Sequence, residues 1–154
     1  GAPPLGAPAF DVTGGRARLR GTSDRGEAAG EGKVRVVDLK TGRRTATKAE
    51  GAEHPQLGAY QLAVEAGARD GPAGTRSAGA QRVYVGSTHG GPAGVAQPAL
   101  EPEPDGSSWA RDLVEEAAGT MSAATFTARQ NGLCEMCPVR RACPVQPEGR
   151  RVVA

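Results

Sequence analysis

The 154-residue sequence predicts a mixed α/β (α+β) fold, a small mixed sheet flanked by helices, with a cysteine-rich segment at its carboxy-terminal end. Three observations carry that expectation. Short runs suited to strands recur at 16–20, 33–39 and 81–85. Two longer stretches, 49–66 and roughly 107–121, repeat apolar residues at helical spacing. All three cysteines, Cys134, Cys137 and Cys143, fall in the tail. The 23 Gly and 12 Pro, against five aromatic residues, predict a small core with long loops.

Each element has a local reason. Residues 1–9 are Pro/Gly-rich and read as a linker or tail. Residues 10–13 form a short strand, Gly14-Gly15 a turn, and 16–20 alternate Arg with Ala and Leu, which together predict a β-hairpin. Residues 26–32 read as a loop. Lys33-Val34-Arg35-Val36-Val37-Asp38-Leu39 is the strongest strand candidate, stopped by Thr41-Gly42. A first helix is expected over 49–66, with Leu57, Tyr60, Gln61 and Val64 at helical spacing. Pro55 lies in its first turn and Gly67 at its C-cap. Residues 67–80 read as a Gly/Ala loop, 81–85 as a strand and 86–106 as a long Gly/Pro-rich loop. A second helix, capped by Asp105, Ser107 or Ser108, sets Trp109, Leu113 and Ala117 on one face. The domain organisation expected is 1–9 linker, 10–122 core, and 123–154 cysteine-rich staple and tail.

Charge is unevenly distributed. Residues 16–48 carry 10 basic and 4 acidic side chains, residues 49–118 carry 4 and 10, and residues 119–154 carry 5 and 2. Two basic blocks around an acidic middle are compatible with an anion-binding face and equally with solvated loops. No run of about 18 apolar residues exists, so no membrane helix is expected. Three cysteines, an odd number, argue against a closed disulfide framework.

The chemistry-bearing residues fall in three short stretches. Gly21-Thr22-Ser23-Asp24-Arg25 follows the hairpin, Asp38-Leu39-Lys40 ends the strongest strand, and Gln56 and Tyr60 lie one helical turn apart. Alternation on a strand puts Asp38 and Lys40 on the face of Val34 and Val36. Asp24, placed at the end of an adjacent strand, brings a second carboxylate. Paired carboxylates suit Mg²⁺ or Mn²⁺, and a lysine beside them can stabilise developing negative charge. Cys134-x2-Cys137-x5-Cys143 followed by Pro144 has ligand spacing for zinc or an iron–sulfur centre, and spacing does not choose between them. His54 reads as a surface residue at a helix N-terminus, with a place near the metal site, two residues before Gln56, as the alternative. His89 lies in a Gly-rich loop. The arginines of 16–25, Arg43 and Arg44, and Arg140, Arg141, Arg150 and Arg151 are candidates for phosphate-backbone contacts.

In this order and spacing, Gly21-x-x-Asp24-Arg25, Asp38-x-Lys40 and Gln56-x-x-x-Tyr60 resemble the RecB-type nuclease domain of the PD-(D/E)XK superfamily, which has a restriction-endonuclease-like core. The stretch from Asn131 to Arg150 is similar to the carboxy-terminal part of AdnAB-type helicase–nuclease subunits of actinobacteria, in the UvrD/Rep family. The resemblance implies a Mg²⁺- or Mn²⁺-dependent DNA exonuclease active in double-strand-break end processing. It implies catalytic roles for Asp24, Asp38, Lys40, Gln56 and Tyr60, with Asp24, Asp38 and the Leu39 carbonyl as metal ligands. It further implies a [4Fe–4S] cluster on Cys134, Cys137 and Cys143 plus a fourth, upstream cysteine. An upstream helix bearing another metal ligand, single-stranded DNA tails from a helicase motor, a second subunit and a bacterial cytoplasmic, nucleoid-associated location are implied as well. A DNA- or subunit-binding module that does not cut, and a standalone RecB-like nuclease, are the alternatives.

Overall fold

A computed structural model describes residues 10–11, 18–68, 75–86, 93–101 and 103–149. The chain forms two compact units, the first running to Ala118 and the second beginning at Gly119. His89, Arg16, Arg150 and Arg151 lie outside the described residues.

In the first unit, β1 (Phe10–Asp11) and β2 (Arg18–Leu19) pair antiparallel, as the hairpin reading expects. The main sheet has four strands in the order β3-β4-β5-β6: Arg25–Ala28, Lys33–Lys40, Arg76–Tyr84 and Ala93–Gln97. β3–β4 and β5–β6 are antiparallel, and the central β4–β5 pair is parallel. The mixed sheet agrees with the expected class. Three of its strands correct the sequence reading. β3 and β6 form where loops are expected at 26–32 and 86–106, and β5 begins inside the expected 67–80 loop.

The physical reasons are local. Gly30, Glu31 and Gly32 all take positive φ, so the loop shrinks to a tight turn and frees Arg25–Ala28 to pair with β4. β5 carries a bulge opposite Val34–Val36, and Gly79 sits in it at φ +97. A Cβ at Gly79 would lie 2.6 Å from the Gln97 carbonyl oxygen, so only glycine lets β6 approach there.

Two helices, not one, cross from β4 to β5. α1 (Lys48–Ala52) is started by a capping box: Thr47 Oγ1 accepts from Glu50 N–H at 3.2 Å and Glu50 Oε2 accepts from Thr47 N–H at 2.7 Å. α2 (Pro55–Glu65) begins with Pro55 at its first position. Proline forces the preceding His54 into extended backbone, which breaks the continuous helix expected over 49–66. Gly67, at φ +76, ends α2 as expected: its N–H reaches the Val64 carbonyl while Ala68 N–H reaches Ala63.

The core lies on both sides of α2. Leu57 and Val64 bury against Val36 and Ala80, with Val34 and Tyr60 at the margin. Leu62 packs with Ala110 and Val114 of α3 (Trp109–Ser122), flanked by Trp109, Leu19 and Leu100. The buried stripe of α3 is therefore Ala110 and Val114, one position round from the expected Leu113 and Ala117, which face solvent. Ser108 supplies the cap, accepting from Arg111 N–H. Between the clusters, fully buried Gln61 accepts from Ser77 Oγ and Leu100 N–H and donates to Gln97 Oε1 and the Pro98 carbonyl. That network satisfies the polar groups that β5, β6 and α2 bring inside.

The second unit contains two short 3₁₀ turns, Cys134–Met136 and Arg140–Ala142. Phe126 is 73% exposed there. Among the described residues no helix is long and apolar enough to cross a membrane.

Candidate active site

The site forms at the carboxy-terminal end of β4, where the parallel neighbour β5 and the first turn of α2 meet it. Inward alternation along β4 carries Val34, Val36, Asp38 and Lys40 on one face, as the sequence predicts. Asp38 is only 2% exposed, so its charge needs partners. It has two. Lys40 Nζ lies 2.9 Å from Oδ2 and 3.2 Å from Oδ1, and Arg82 Nε donates to Oδ2 at 3.2 Å.

Gln56 joins the same cluster. Its Oε1 accepts from Lys40 Nζ at 3.3 Å and from Arg82 Nη2 at 3.0 Å, while its Nε2 donates to Tyr60 Oη at 2.8 Å. Tyr60 Oη in turn donates to the Thr22 carbonyl at 3.1 Å. The helical pair thus does close on the strand, and it holds the segment that leads into Asp24. Asp24 stands just before β3 rather than at the end of the hairpin strand. Its Oδ2 accepts from Leu39 N–H at 2.7 Å, and it is exposed. The pairing of Arg25 with Val37 places Asp24 alongside Asp38 in the antiparallel register. Arg25 itself pairs with Glu27 at 3.1 Å and not with Asp24.

Arg82 is the residue that sequence reasoning passed over. The signal was present: between buried Ala80 and Tyr84, an inward strand position holds an arginine. The partner, Asp38, sits opposite it in the parallel register, which only the crossover through α1 and α2 could reveal.

Beside the cluster opens a cavity of about 520 Å³, lined by Lys40, Arg44, Glu50, His54, Arg82 and Tyr84 among others. Glu50 is engaged by Arg44 at 3.1 Å. His54, at the N-cap of α2, has its pKa pushed below the usual 6.5, first by burial, then by the nearby Arg82 charge, against a smaller opposing pull from Asp38. Its Nδ1 is buried and has no hydrogen-bond partner among the described residues.

Two carboxylates and a backbone carbonyl are hard oxygen donors of the kind Mg²⁺ and Mn²⁺ prefer. Asp38 and Asp24, brought alongside by the β3–β4 register, supply two such carboxylates, and the cations facing Asp38 show that the buried one is matched to positive charge. The cysteines fit a metal centre less well. Cys134, Cys137 and Cys143 are free thiols, each half-buried, and Cys134 Sγ accepts from Asn131 N–H at 3.2 Å. Among the described residues no three His, Cys, Asp or Glu side chains gather into a metal-holding group.

No curated protein matches the chain. A family model does match, that of the PD-(D/E)XK nuclease superfamily, over residues 4–144. That span includes β3 to β5, α2 and every side chain of the Asp38 cluster, and the mixed sheet carrying the cluster has the layout of a restriction-endonuclease-like core. With nearly its whole length accounted for in this way, the chain belongs to the PD-(D/E)XK nuclease superfamily.

Proposed function

We propose that this chain is a Mg²⁺- or Mn²⁺-dependent deoxyribonuclease domain that hydrolyses phosphodiester bonds of DNA strands. The observation that carries the reading is Asp38: a buried carboxylate at a strand end, with Lys40, Gln56 and Asp24 arranged around it. A divalent ion held by Asp38, Asp24 and the Leu39 carbonyl would lower the pKa of a water and stabilise charge on a phosphoryl oxygen.

The protein's own groups supply the rest. Lys40 Nζ is fixed between Asp38 and Gln56, so its positive charge is oriented before substrate arrives and can stabilise the phosphoryl oxygen as negative charge develops. Gln56 orients Lys40, and Tyr60 orients Gln56 while anchoring the Thr22 carbonyl. Asp24, by accepting from Leu39 N–H, ties the start of β3 to the end of β4 and fixes the spacing of the two carboxylates.

The wider setting belongs to the same proposal. The resemblance of the 131–150 stretch supports an AdnAB-type helicase–nuclease that processes broken DNA ends, fed with single strands by a motor and working beside a second subunit in the bacterial cytoplasm. The same resemblance supports a [4Fe–4S] centre on Cys134, Cys137 and Cys143, with zinc as the rival that their spacing allows equally. Iron, sulfide and zinc analysis of the protein, purified without oxygen, decides between them.

The test of the main reading is cleavage of single-stranded DNA in Mn²⁺ or Mg²⁺ by the chain, beside its Asp38→Ala and Lys40→Ala variants. Cleavage should be abolished in the first and reduced about 10²–10³-fold in the second. DNA binding without cleavage, indifferent to chelation, would instead favour a module that grips DNA and does not cut it.

A further inference from the structure

We infer that Arg82 is an internal stand-in for the divalent cation: its guanidinium neutralises Asp38 until a metal ion takes that carboxylate, then turns into the adjoining cavity to hold a phosphate of the substrate strand. The inference rests on the nuclease reading and adds to it a positioning residue and a phosphate subsite.

The argument starts from charge. Asp38 offers one negative charge, and two cations already share its Oδ2, Lys40 at 2.9 Å and Arg82 at 3.2 Å. Both are partly buried, so solvent screens their repulsion from an arriving divalent ion only weakly. One of them has to yield. Both donate to Gln56 Oε1, Lys40 at 3.3 Å and Arg82 at 3.0 Å, so the difference lies in the tether: Lys40 is two residues along Asp38's own strand. Arg82 has the longer side chain and comes from the neighbouring strand. Like Lys40 it lines the 520 Å³ cavity, so the longer guanidinium arm has room to move without disturbing the core.

The destination is built for an anion. Of the cavity's ionisable walls, Lys40, Arg44 and Arg82 are cationic, and the one acid, Glu50, is engaged by Arg44 and by the Thr47 cap. His54 also lines the cavity. A phosphodiester has the acceptor oxygens that these groups require, and the guanidinium fork matches two of them at once. A strand that enters with its scissile phosphate at Asp38 carries further phosphates, one of which is the anion that such a cavity takes.

The handover predicts effects of opposite sign in a single variant. Arg82→Gln should bind Mn²⁺ about tenfold more tightly than the wild type, measured by the loss of free-Mn²⁺ electron paramagnetic resonance signal. In Mn²⁺, the same variant should bind a cleavage-resistant phosphorothioate strand about tenfold more weakly, read by fluorescence anisotropy. In chelator, where Arg82 stays on Asp38, the two proteins should bind the strand alike. Mn²⁺ affinity in Arg82→Gln that is unchanged or weaker, or strand affinity in Mn²⁺ that is unchanged, overturns the inference. A wild-type chain that binds no Mn²⁺ overturns the nuclease reading itself, so the two failures are separate. Should Arg82→Gln not fold, the wild type still decides. Titration with Mg²⁺ should move the Arg82 Nε–Hε nuclear magnetic resonance cross-peak in step with calorimetric binding, and Mg²⁺ binding that leaves the peak in place overturns the handover.

Discussion

In the sheet unit, Asp24 reaches Leu39 across 15 residues and Arg82 reaches Asp38 across 44. In the cysteine unit, the backbone bonds from Cys134 to Asn131, Cys137 to Cys134, Arg140 to Cys137 and Cys143 to Arg140 each span three. The first unit buries Val36, Leu57 and Gln61 almost completely, whereas in the second Phe126, Leu133, Met136 and Val139 are all more than 60% exposed. One unit takes its order from distant side chains and the other from a run of local turns. Local turns gain little from burial, so the two units should answer mutation differently.

The largest effect is expected where long-range packing is densest. Leu57→Ala should cost roughly 2–5 kcal/mol, measured by urea unfolding followed through the single tryptophan, Trp109. Amide exchange across 133–149 should stay unchanged in the same variant. Shared loss of protection would break the contrast between the units. Gln61→Ala should follow, at about 2–3 kcal/mol, because Ser77, Leu100 and Gln97 lose partners inside the protein. Thr47→Ala removes half of a capping box and should cost about 1 kcal/mol.

A smaller effect depends on pH. The folded chain holds His54 below its usual pKa of 6.5, so the unfolded chain binds that proton more readily. Stability is full above 6.5 and falls as pH drops from there through the folded pKa. The melting temperature should decline from pH 7.5 to 5.5, and His54→Gln should flatten the decline. The smallest effect is expected from Cys143→Ser, which should leave the Trp109 unfolding curve within about 0.5 kcal/mol of the wild type. A larger shift would show that the cysteine unit supports the sheet.

The same contrast explains what could be read in the residues beforehand. Asp38, Lys40, Gln56 and Tyr60 stood out because strand and helix periods put each pair on one face within five residues. β4, the Gly67 stop and α3 were legible for the same local reason. β3 and β6 were not, since Arg25–Ala28 and Ala93–Gln97 have little strand character of their own and take it from their neighbours. Arg82 was missed because its role depends on a parallel register set by the crossover. The single helix expected over 49–66 failed at Pro55, where apolar spacing continues through a backbone break.

The parallel pairing of β4 with β5 also sets an order in time. During synthesis Asp38, Lys40 and Gln56 leave the ribosome before Arg82 does, and β4 cannot gain its parallel partner until Tyr84 has emerged. Closure of this long connection is slow relative to the β3–β4 turn. Asp38 should therefore remain a hydrated surface carboxylate until β5 docks and enter the interior together with its arginine. Pulse-labelled hydrogen exchange during refolding should show the β3–β4 turn protected first and the amides of Arg76–Tyr84 later, gaining protection as the site closes.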